Sequence, residues 1–372
     1  MNNNFIPVNR PLLNGNEKKY LAECIDTGWI SSEGPFVSIF EEKFAKTVSR
    51  KFGVAVSNGS MAIDAALAAL EVGPGDEVIM PSFTIISCIN YIIRVGAKPI
   101  LIDSDPITWN MNVNQIEKKI TKKTKVIMIV HIYGLPVDLN PVISIAKKHN
   151  IKIIEDAAEM HGQTYSGKPC GSFGDISTFS FYPNKHITTG EGGMVVTNST
   201  DLYNKCRSLR NLCFGEIDRF IHEDIGWNMR MTNMQAAIGL AQLERLDEFV
   251  KIKRKMGKFY SDYLSDIDEI QLPLDKTNYS QNIYWVYGLV LRQNSEKNVS
   301  KIIAYLKENG IGSRNFFYPM HRQPVFIKKG YFKGLVLPVS EYLSDKGFYI
   351  PSGLNLSEQE MEKVASTLKK YF

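Results

Sequence analysis

The chain has 372 residues, more than the roughly 250–300 at which a single hydrophobic core stops growing, so we expect two domains. Hydrophobic residues make up 44% of the chain, charged residues 22% and aromatic residues 11%, a composition that excludes a disordered chain. The 44 basic and 39 acidic residues give a net charge of +5 that is spread without a long basic block. This balance argues against a nucleic-acid-binding protein and allows a modest attraction to phosphorylated substrates.

The first ten residues, Met1–Arg10, lack the charged leader and apolar core of a secretory signal. No later stretch approaches the length of an apolar membrane span, so we expect a cytoplasmic protein that does not interact with a membrane. The five cysteines are an odd number without a CxxC pair, which argues against a disulfide framework and a zinc knuckle, and we expect no metal site. They are Cys24, Cys88, Cys170, Cys206 and Cys213.

Between residues 50 and 200, short apolar runs alternate with segments of helical period. This pattern is typical of strand–helix units that build a mainly parallel sheet. The predicted strands are 54–56, 77–80, 99–102, 126–130, 151–154, 176–181 and 194–197. The predicted helices between them are 60–70, 86–95, 113–120 and 140–149.

After residue 201 the pattern changes to one long amphipathic helix over 232–264, with apolar residues three and four positions apart. The remainder predicts a strand at 283–291, a helix at 299–309, a loop at 318–324 and a closing helix at 357–371. We therefore predict an α/β protein with a large domain over residues 1–249 and a smaller C-terminal α/β domain over residues 250–372.

The turn 57–60 follows a predicted strand and opens a predicted helix. Backbone N–H groups at a helix N-terminus, together with the hydroxyl of Ser60, can bind a phosphate. Ser60 taken alone is more simply explained as a helix N-cap. Ser180 offers a second hydroxyl to the same phosphate, although a serine in a strand usually has no such role.

Lys185 follows an apolar strand that ends in Asp156. A pyridoxal-phosphate enzyme needs a buried amine that bonds the cofactor aldehyde and a carboxylate that keeps the pyridine nitrogen protonated, and these two residues suit those roles. Glu159 is spaced either as a capping-box partner of Asp156 or as a partner of the cofactor's phenolic oxygen. His186 should point to the opposite face of an extended segment, where packing is a commoner role than substrate contact.

In its order of motifs, the chain resembles the DegT/DnrJ/EryC1/StrS family of sugar aminotransferases, which belongs to the fold-type I pyridoxal-phosphate enzymes. The motifs that carry the resemblance are 28–32, 56–60, 75–82, 130–134, 155–159, 174–193 and 318–321. Within the family, residues 187–194 and 230–233 are most similar to the enzymes that aminate C4 of GDP-4-keto-6-deoxymannose. The resemblance implies a large domain with a mainly parallel mixed sheet flanked by helices and a smaller C-terminal α/β domain.

The resemblance also implies roles for individual residues. Lys185 is the Schiff-base lysine and general base, Asp156 pairs with the pyridine nitrogen, and Glu159 contacts the phenolic oxygen. Ile85 stands where most relatives have an aromatic residue on the cofactor ring, so a stacking contribution of ~0.5–1.5 kcal/mol is lost.

Further contacts follow from the same resemblance. The residues implied to bind the cofactor phosphate are Gly59, Ser60 and Ser180, with Asn228 contributed by the neighbouring subunit of a homodimer. The implied substrate contacts are His186, Tyr318 and His321.

The implied reaction transfers an amino group from glutamate to a nucleotide-linked keto-sugar in surface polysaccharide biosynthesis. One alternative substrate is a smaller phosphorylated ketone. Two departures leave it open: Ile85 differs from most relatives, and Pro183 differs from the C4-aminating relatives. A sugar dehydratase of the same family would carry histidine in place of Lys185, which argues against that reaction. A third alternative is a cofactor-binding regulator without catalysis, although the sequence contains no recognisable DNA-binding module.

Overall fold

The computed structural model describes residues 5–215 and 217–372. Met1 to Asn4, part of the N-terminal segment that lacks the features of a secretory signal, lie outside the described residues. Nine strands come from the described residues between 5 and 200. They are β1 Phe52–Val56, β2 Glu77–Pro81, β3 Lys98–Ile102, β4 Thr124–Val130, β5 Lys152–Asp156, β6 Thr164–Tyr165, β7 Lys168–Pro169, β8 Ile176–Ser180 and β9 Gly193–Thr197. All but β6 and β7, which pair with each other, form one seven-stranded sheet.

The strands of this sheet lie in the order β1-β9-β8-β5-β4-β2-β3. Neighbouring strands from β8 to β3 are parallel, whereas β9 runs antiparallel to both β8 and β1. The predicted mainly parallel mixed sheet is therefore confirmed. Six strands end at the same edge, where open α/β sheets place their ligands.

Helices cover both faces of the large sheet. They are α1 Glu17–Asp26, α2 Pro35–Thr47, α3 Gly59–Ala69, α4 Ser87–Arg94, α5 Leu139–His149, α6 Thr200–Arg210 and α7 Asn233–Leu243. Because side chains alternate along a strand, Val54 and Val56 pack in one core with α3, whereas Ala55 packs in a second core with α2. Burial on both faces explains why the strands read as nearly continuous apolar runs.

The C-terminal part builds a second, antiparallel sheet in the order β10-β11-β13-β12. Its strands are β10 Ile270–Gln271, β11 Tyr287–Leu291, β12 Arg314–Asn315 and β13 Gly347–Ile350. The helices of this part are α8 Leu246–Leu264, α9 Val299–Glu308, α10 Pro324–Lys328, α11 Pro338–Lys346 and α12 Glu358–Tyr371. The predicted domain boundary at residue 249 falls within α8 and stays a prediction.

Two predicted helices differ from the structure. Residues 113–120 form two short 3-10 turns, Val113–Gln115 and Glu117–Lys119, because the side chain of Asn112 accepts a hydrogen bond from the Asn114 N–H and holds the chain in a turn. The long helix predicted over 232–264 is broken at Arg245, whose φ of −116° leaves the helical region. The break separates α7, which packs on α1 and α2, from α8, which packs on α12.

Thr232 is the N-cap of α7. Its hydroxyl accepts from the Gln235 N–H, and the Gln235 side chain accepts from the Thr232 N–H, which is a complete capping box at the start of α7.

Among the described residues, none of the helices has both the length and the apolar composition needed to cross a membrane.

Candidate active site

A cavity of about 620 Å³ opens at the edge of the large sheet where the parallel strands end. Its walls come from the segments after β1, β2, β4, β5 and β8 and from three aromatic residues of the C-terminal part. Seven of the residues proposed from the sequence line it, namely Gly59, Ser60, Ile85, Asp156, Glu159, Ser180 and Lys185. Residues from distant parts of the chain thus meet in one open cavity of the size that small ligands occupy.

Lys185 enters the cavity from a turn in which its N–H donates to the Tyr182 carbonyl at 2.9 Å. The side chain is only 10% exposed, and Nζ lies 3.9 Å from Oε1 of Glu159 and 3.9 Å from the centre of the Trp285 ring. Burial lowers the pKa of the Lys185 amine, while the nearby carboxylates of Glu159 and Asp156 oppose that shift. A lowered pKa increases the neutral fraction of the amine, which is the form that attacks an aldehyde.

Asp156 is the last residue of β5; it is buried and lines the cavity. Its carboxylate accepts hydrogen bonds from the Ala158 N–H at 3.1 Å, the Thr178 hydroxyl at 3.3 Å and the Cys88 thiol at 3.4 Å. Burial raises the pKa of the Asp156 carboxyl, because these neutral donors do not replace the water it has lost. A protonated pyridine nitrogen of a bound cofactor would supply the counter-charge that the Asp156 carboxylate lacks.

Glu159 lines the cavity next to Lys185. Its Oε2 accepts from the Tyr133 N–H at 2.6 Å, and burial raises the pKa of its carboxyl. The structure contradicts the capping explanation of both Asp156 and Glu159, because no helix begins after β5. The Glu159 carboxyl can therefore contact a ligand in the cavity. In its protonated form it can donate a hydrogen bond to an oxyanion.

The N-terminus of α3 forms a cradle of hydroxyl and backbone N–H groups. Asn58, not Ser60, caps this helix, since the Asn58 side chain accepts from the Met61 N–H at 3.0 Å. The Ser60 hydroxyl is therefore released from capping and lies 2.7 Å from the Ser87 hydroxyl. A Cβ at Gly59 would lie 2.7 Å from Cβ of Ser180, so this close approach requires glycine. These groups fit a phosphate monoester.

The cavity walls include residues that the sequence did not single out. Trp285 covers Lys185 and donates from Nε1 to the Asn184 carbonyl at 2.8 Å, while Phe317 and Tyr349 complete the aromatic wall. Ile85 lines the cavity with 45% of its surface exposed, so the aliphatic side chain is available to a ligand ring. Trp285 precedes β11 in a run that predicts only a strand, and no local spacing signals its contact with Lys185.

Other predicted residues lie outside this cavity in the described part of the chain. His186 is buried with Nε2 3.1 Å from the Ile283 carbonyl, and His321 bridges the Ser82 hydroxyl at 2.7 Å and Glu341 at 2.9 Å. These bonds give the two histidines packing and loop-joining roles within the chain. Tyr318 is 41% exposed, and Asn228 is exposed in an isolated bridge with Asn211. Contacts of these four side chains with a substrate or with a second subunit stay predictions.

Three buried side chains of the described residues, His131, Glu155 and Cys170, lie close enough to share a metal ion. The Glu155 carboxylate already accepts from His131 Nε2 at 3.2 Å and from the Phe173 N–H at 2.9 Å. Those bonds hold the pKa of Glu155 below its usual range despite its burial, and they account for the cluster as part of the scaffold.

The sequence of the chain matches the family model described as the DegT/DnrJ/EryC1/StrS aminotransferase family over residues 11–369. The chain belongs to this family. It is 41% identical to a GDP-perosamine synthase of Escherichia coli O157:H7 over 368 residues and 39% identical to that of Vibrio cholerae over 369 residues, with 99% of each chain covered in both comparisons.

The fold agrees with solved members of the family. The PLP-form of the putative sugar aminotransferase Spr1654 from Streptococcus pneumoniae superposes with a TM-score of 0.91 at 26% identity, over 98% of this chain and 98% of that chain. The chain is thus a fold-type I, pyridoxal-phosphate-dependent aminotransferase, and the suggestion of a regulator without catalysis is set aside.

Proposed function

We propose that this aminotransferase moves an amino group from glutamate to C4 of a keto-sugar linked to a nucleoside diphosphate, with GDP-4-keto-6-deoxymannose as the preferred substrate. The observation that carries the proposal is the meeting of Lys185, Asp156 and Glu159 in one buried cavity. The identity of about 40% to two GDP-perosamine synthases supports the choice of substrate class. The product would serve the synthesis of a surface polysaccharide.

Each residue of the cavity is proposed to have a separate role in the reaction. When bound, pyridoxal phosphate supplies an aldehyde carbon for the lysine and a ring that delocalises negative charge. Lys185 would hold the cofactor through its amine and, as a free amine, would serve as the base that moves a proton. Asp156 would keep the ring nitrogen protonated, and Glu159 would hydrogen-bond the phenolic oxygen.

The phosphate of the cofactor is assigned to the cradle at the start of α3. Gly59 and Ser60 offer backbone N–H groups and a hydroxyl, and Ser180 adds a second hydroxyl from the end of β8. In the proposed homodimer, Asn228 of the neighbouring subunit completes this contact. The exposure of Asn228 on its own subunit supports that placement.

We also propose a location in the cytoplasm. The five cysteines are all buried and unpaired, which suits a reducing compartment. A large domain over residues 1–249 and a small domain over 250–372 complete the proposal, with α8 joining the two sheets.

The test is a screen of keto-sugar nucleotides and ketose phosphates with glutamate as donor, in which release of 2-oxoglutarate is followed. We expect turnover of GDP-4-keto-6-deoxymannose, and kcat/KM at least about 100-fold lower for a simple ketose phosphate, because the phosphate alone lacks the nucleoside contacts. Equal values for the two substrates would favour the smaller phosphorylated ketone and contradict the proposal.

A further inference from the structure

Thr84, Cys88 and Asp156 form a hydrogen-bonded chain at the edge of the active-site cavity. The Cys88 sulfur lies 3.4 Å from Oδ2 of Asp156 and 3.4 Å from the Thr84 hydroxyl oxygen. Thr84 follows β2 and lines the cavity next to Ile85, whereas Cys88 belongs to the first turn of α4 and is fully buried. The chain therefore joins the segment after β2 to the carboxylate at the end of β5.

The direction of both hydrogen bonds follows from the chemistry of the three groups. An ionised carboxylate only accepts hydrogen bonds, so the Cys88 S–H must donate to Asp156. The sulfur then has only lone pairs for its other neighbour, and the Thr84 hydroxyl must donate to the sulfur. A thiol is a weak donor, but a thiol that accepts a hydrogen bond is polarised and donates more strongly.

The two carboxylate oxygens of Asp156 have different donors. Oδ1 accepts from the Ala158 N–H at 3.1 Å and from the Thr178 hydroxyl at 3.3 Å. Oδ2 accepts only from the Cys88 thiol among the described residues. Oδ2 therefore has more remaining capacity to accept a hydrogen bond from a ligand, and Cys88 is the group that acts directly on this oxygen.

A second buried thiol shows that packing alone does not require such a contact. Cys88 and Cys206 belong to the same apolar core, and both are fully buried. The Cys206 sulfur lies 3.8 Å from the backbone carbonyl oxygen of Ala65, which does not line the cavity. Of these two thiols, Cys88 is the one that donates to a side chain of the active site.

A proton shared by Asp156 and a pyridine nitrogen can reside on either atom. On nitrogen it leaves a carboxylate and a cationic ring, whereas on oxygen it leaves a carboxylic acid and a neutral ring. Burial favours the neutral pair, because it raises the pKa of the Asp156 carboxyl. A hydrogen bond donated to Oδ2 stabilises the carboxylate and therefore favours the cationic ring.

We propose that Thr84 and Cys88 are positioning residues that, by donating in series to Asp156, keep the shared proton on the ring nitrogen of the cofactor. This inference rests on the proposed role of Asp156 and extends it to two further residues. The proton moves only between Asp156 Oδ2 and the ring nitrogen, so the step needs no co-reactant.

The test is nuclear magnetic resonance of the ring nitrogen in protein loaded with isotope-labelled pyridoxal phosphate, because the signal differs between a protonated and a neutral ring. Cys88→Ala should lower the ratio of protonated to neutral ring about three- to tenfold, since it removes the donor to Oδ2. Cys88→Ser retains a donor and should keep more of the protonated ring than alanine does.

Variants of Thr84 test the first hydrogen bond of the chain. Thr84→Val keeps the shape of the side chain but removes the hydroxyl, so the ratio should fall by less, up to about threefold. Thr84→Ser keeps the hydroxyl and should match the wild type. Where Cys88→Ala does not fold, Cys88→Ser and Thr84→Val carry the same test, and wild-type ratios in both would overturn the inference.

Cys206→Ala is the matched control, because it removes a fully buried thiol that does not donate to a cavity residue. It should lose stability to urea as Cys88→Ala does, but it should leave the nitrogen signal unchanged. An unchanged ratio in Cys88→Ala, or equal changes of the ratio in the two alanine variants, would overturn the inference.

Asp156→Asn separates this inference from the proposed role of Asp156. If the ring nitrogen of the wild type is neutral, or if it stays protonated in Asp156→Asn, the proposed role of Asp156 fails. If the wild type has a protonated nitrogen and Asp156→Asn does not, while Cys88→Ala keeps the wild-type ratio, only the roles of Thr84 and Cys88 fail.

Discussion

Two buried lysines of this protein, Lys185 and Lys253, lie in contrasting surroundings. Lys185 faces the active-site cavity, with one carboxylate 3.9 Å away and a second nearby. Lys253 of α8 is 1% exposed, and its Nζ donates to the Trp285 carbonyl at 2.8 Å and to the Ser352 carbonyl. Burial lowers the pKa of both amines, and that of Lys253 falls to about 7.

The comparison shows that burial and a lowered pKa do not by themselves make a reactive amine. Lys185 faces the active-site cavity and nearby carboxylates, whereas Lys253 has two carbonyl acceptors and is not among the described residues that line that cavity. The two are nevertheless connected, because the residue whose carbonyl binds Lys253 is Trp285, whose ring covers Lys185. Lys185 is positioned to react with the cofactor, whereas Lys253 holds Trp285 in place beside Lys185.

Removal of each amine should separate the two roles most strongly. Lys185→Ala should lower turnover at least about 10³-fold, because the nucleophile and proton carrier are lost together. The visible absorbance that reports the covalent bond to the cofactor should disappear as well. Lys253→Met should keep that absorbance, and its disappearance there would remove the distinction between the lysines.

Removal of the Asp156 carboxylate is expected to have the next largest effect on activity. Asp156→Asn should reduce kcat by about 10²-fold or more, since an amide cannot keep the ring nitrogen positively charged. The matched control is Asp64→Asn, which alters a buried aspartate paired with Arg94 outside the cavity and should leave kcat within about twofold. Comparable losses of kcat in both variants would point to general instability of the fold.

The contribution of Lys253 should appear in stability rather than in chemistry. Lys253→Met leaves the Trp285 and Ser352 carbonyls without their donor, and at pH 9 we expect the free energy of unfolding to fall by about 1–3 kcal/mol. Urea unfolding at several pH values measures the change.

The pH dependence of this difference has a definite sign. The folded pKa of Lys253 is about 7 against an ordinary value of 10.5, so between these values the unfolded chain binds the proton that the folded protein has released. Wild-type stability therefore gains from this group as pH rises from about 7 to 10.5, whereas methionine gains nothing. The wild-type advantage should widen across that window, and a constant difference would contradict the shifted pKa.

The smallest expected effect concerns Ile85, which lines the cavity. Ile85→Phe should restore an aromatic contact to the cofactor ring worth ~0.5–1.5 kcal/mol, and so slow the loss of pyridoxal phosphate during dialysis about two- to tenfold. Ile85→Leu preserves the aliphatic character and should match the wild type. Faster loss in the phenylalanine variant would show that the ring does not lie against residue 85.

The sequence predicted the large sheet well, because each strand is an apolar run buried on both faces. It also selected the side chains that line the cavity near the strand ends, such as Asp156 and Ser180, since parallel strands end at a common edge. The break at Arg245 was not predictable from periodicity, because α7 and α8 both have apolar faces and the helix bends only where their packing partners differ.

The helices α1, α2 and α6 are not assigned from the sequence, although their sequences contain no strong helix breaker.

Other features could not be predicted because they depend on contacts between residues that are far apart in the sequence. Trp285 reaches Lys185 across a hundred residues of chain, and the hydrogen bonds that bury His186 and His321 involve backbone and side chains far away in sequence. No spacing rule within a single segment records such contacts.

The most direct test of the account is chemical identification of the amine that bonds the cofactor. The pyridoxal-phosphate-loaded protein is reduced with borohydride, digested, and analysed by mass spectrometry for the peptide that carries the cofactor. The account predicts a single modified residue, Lys185, with Lys253 unmodified. A cofactor attached to Lys253 or to another lysine would contradict it.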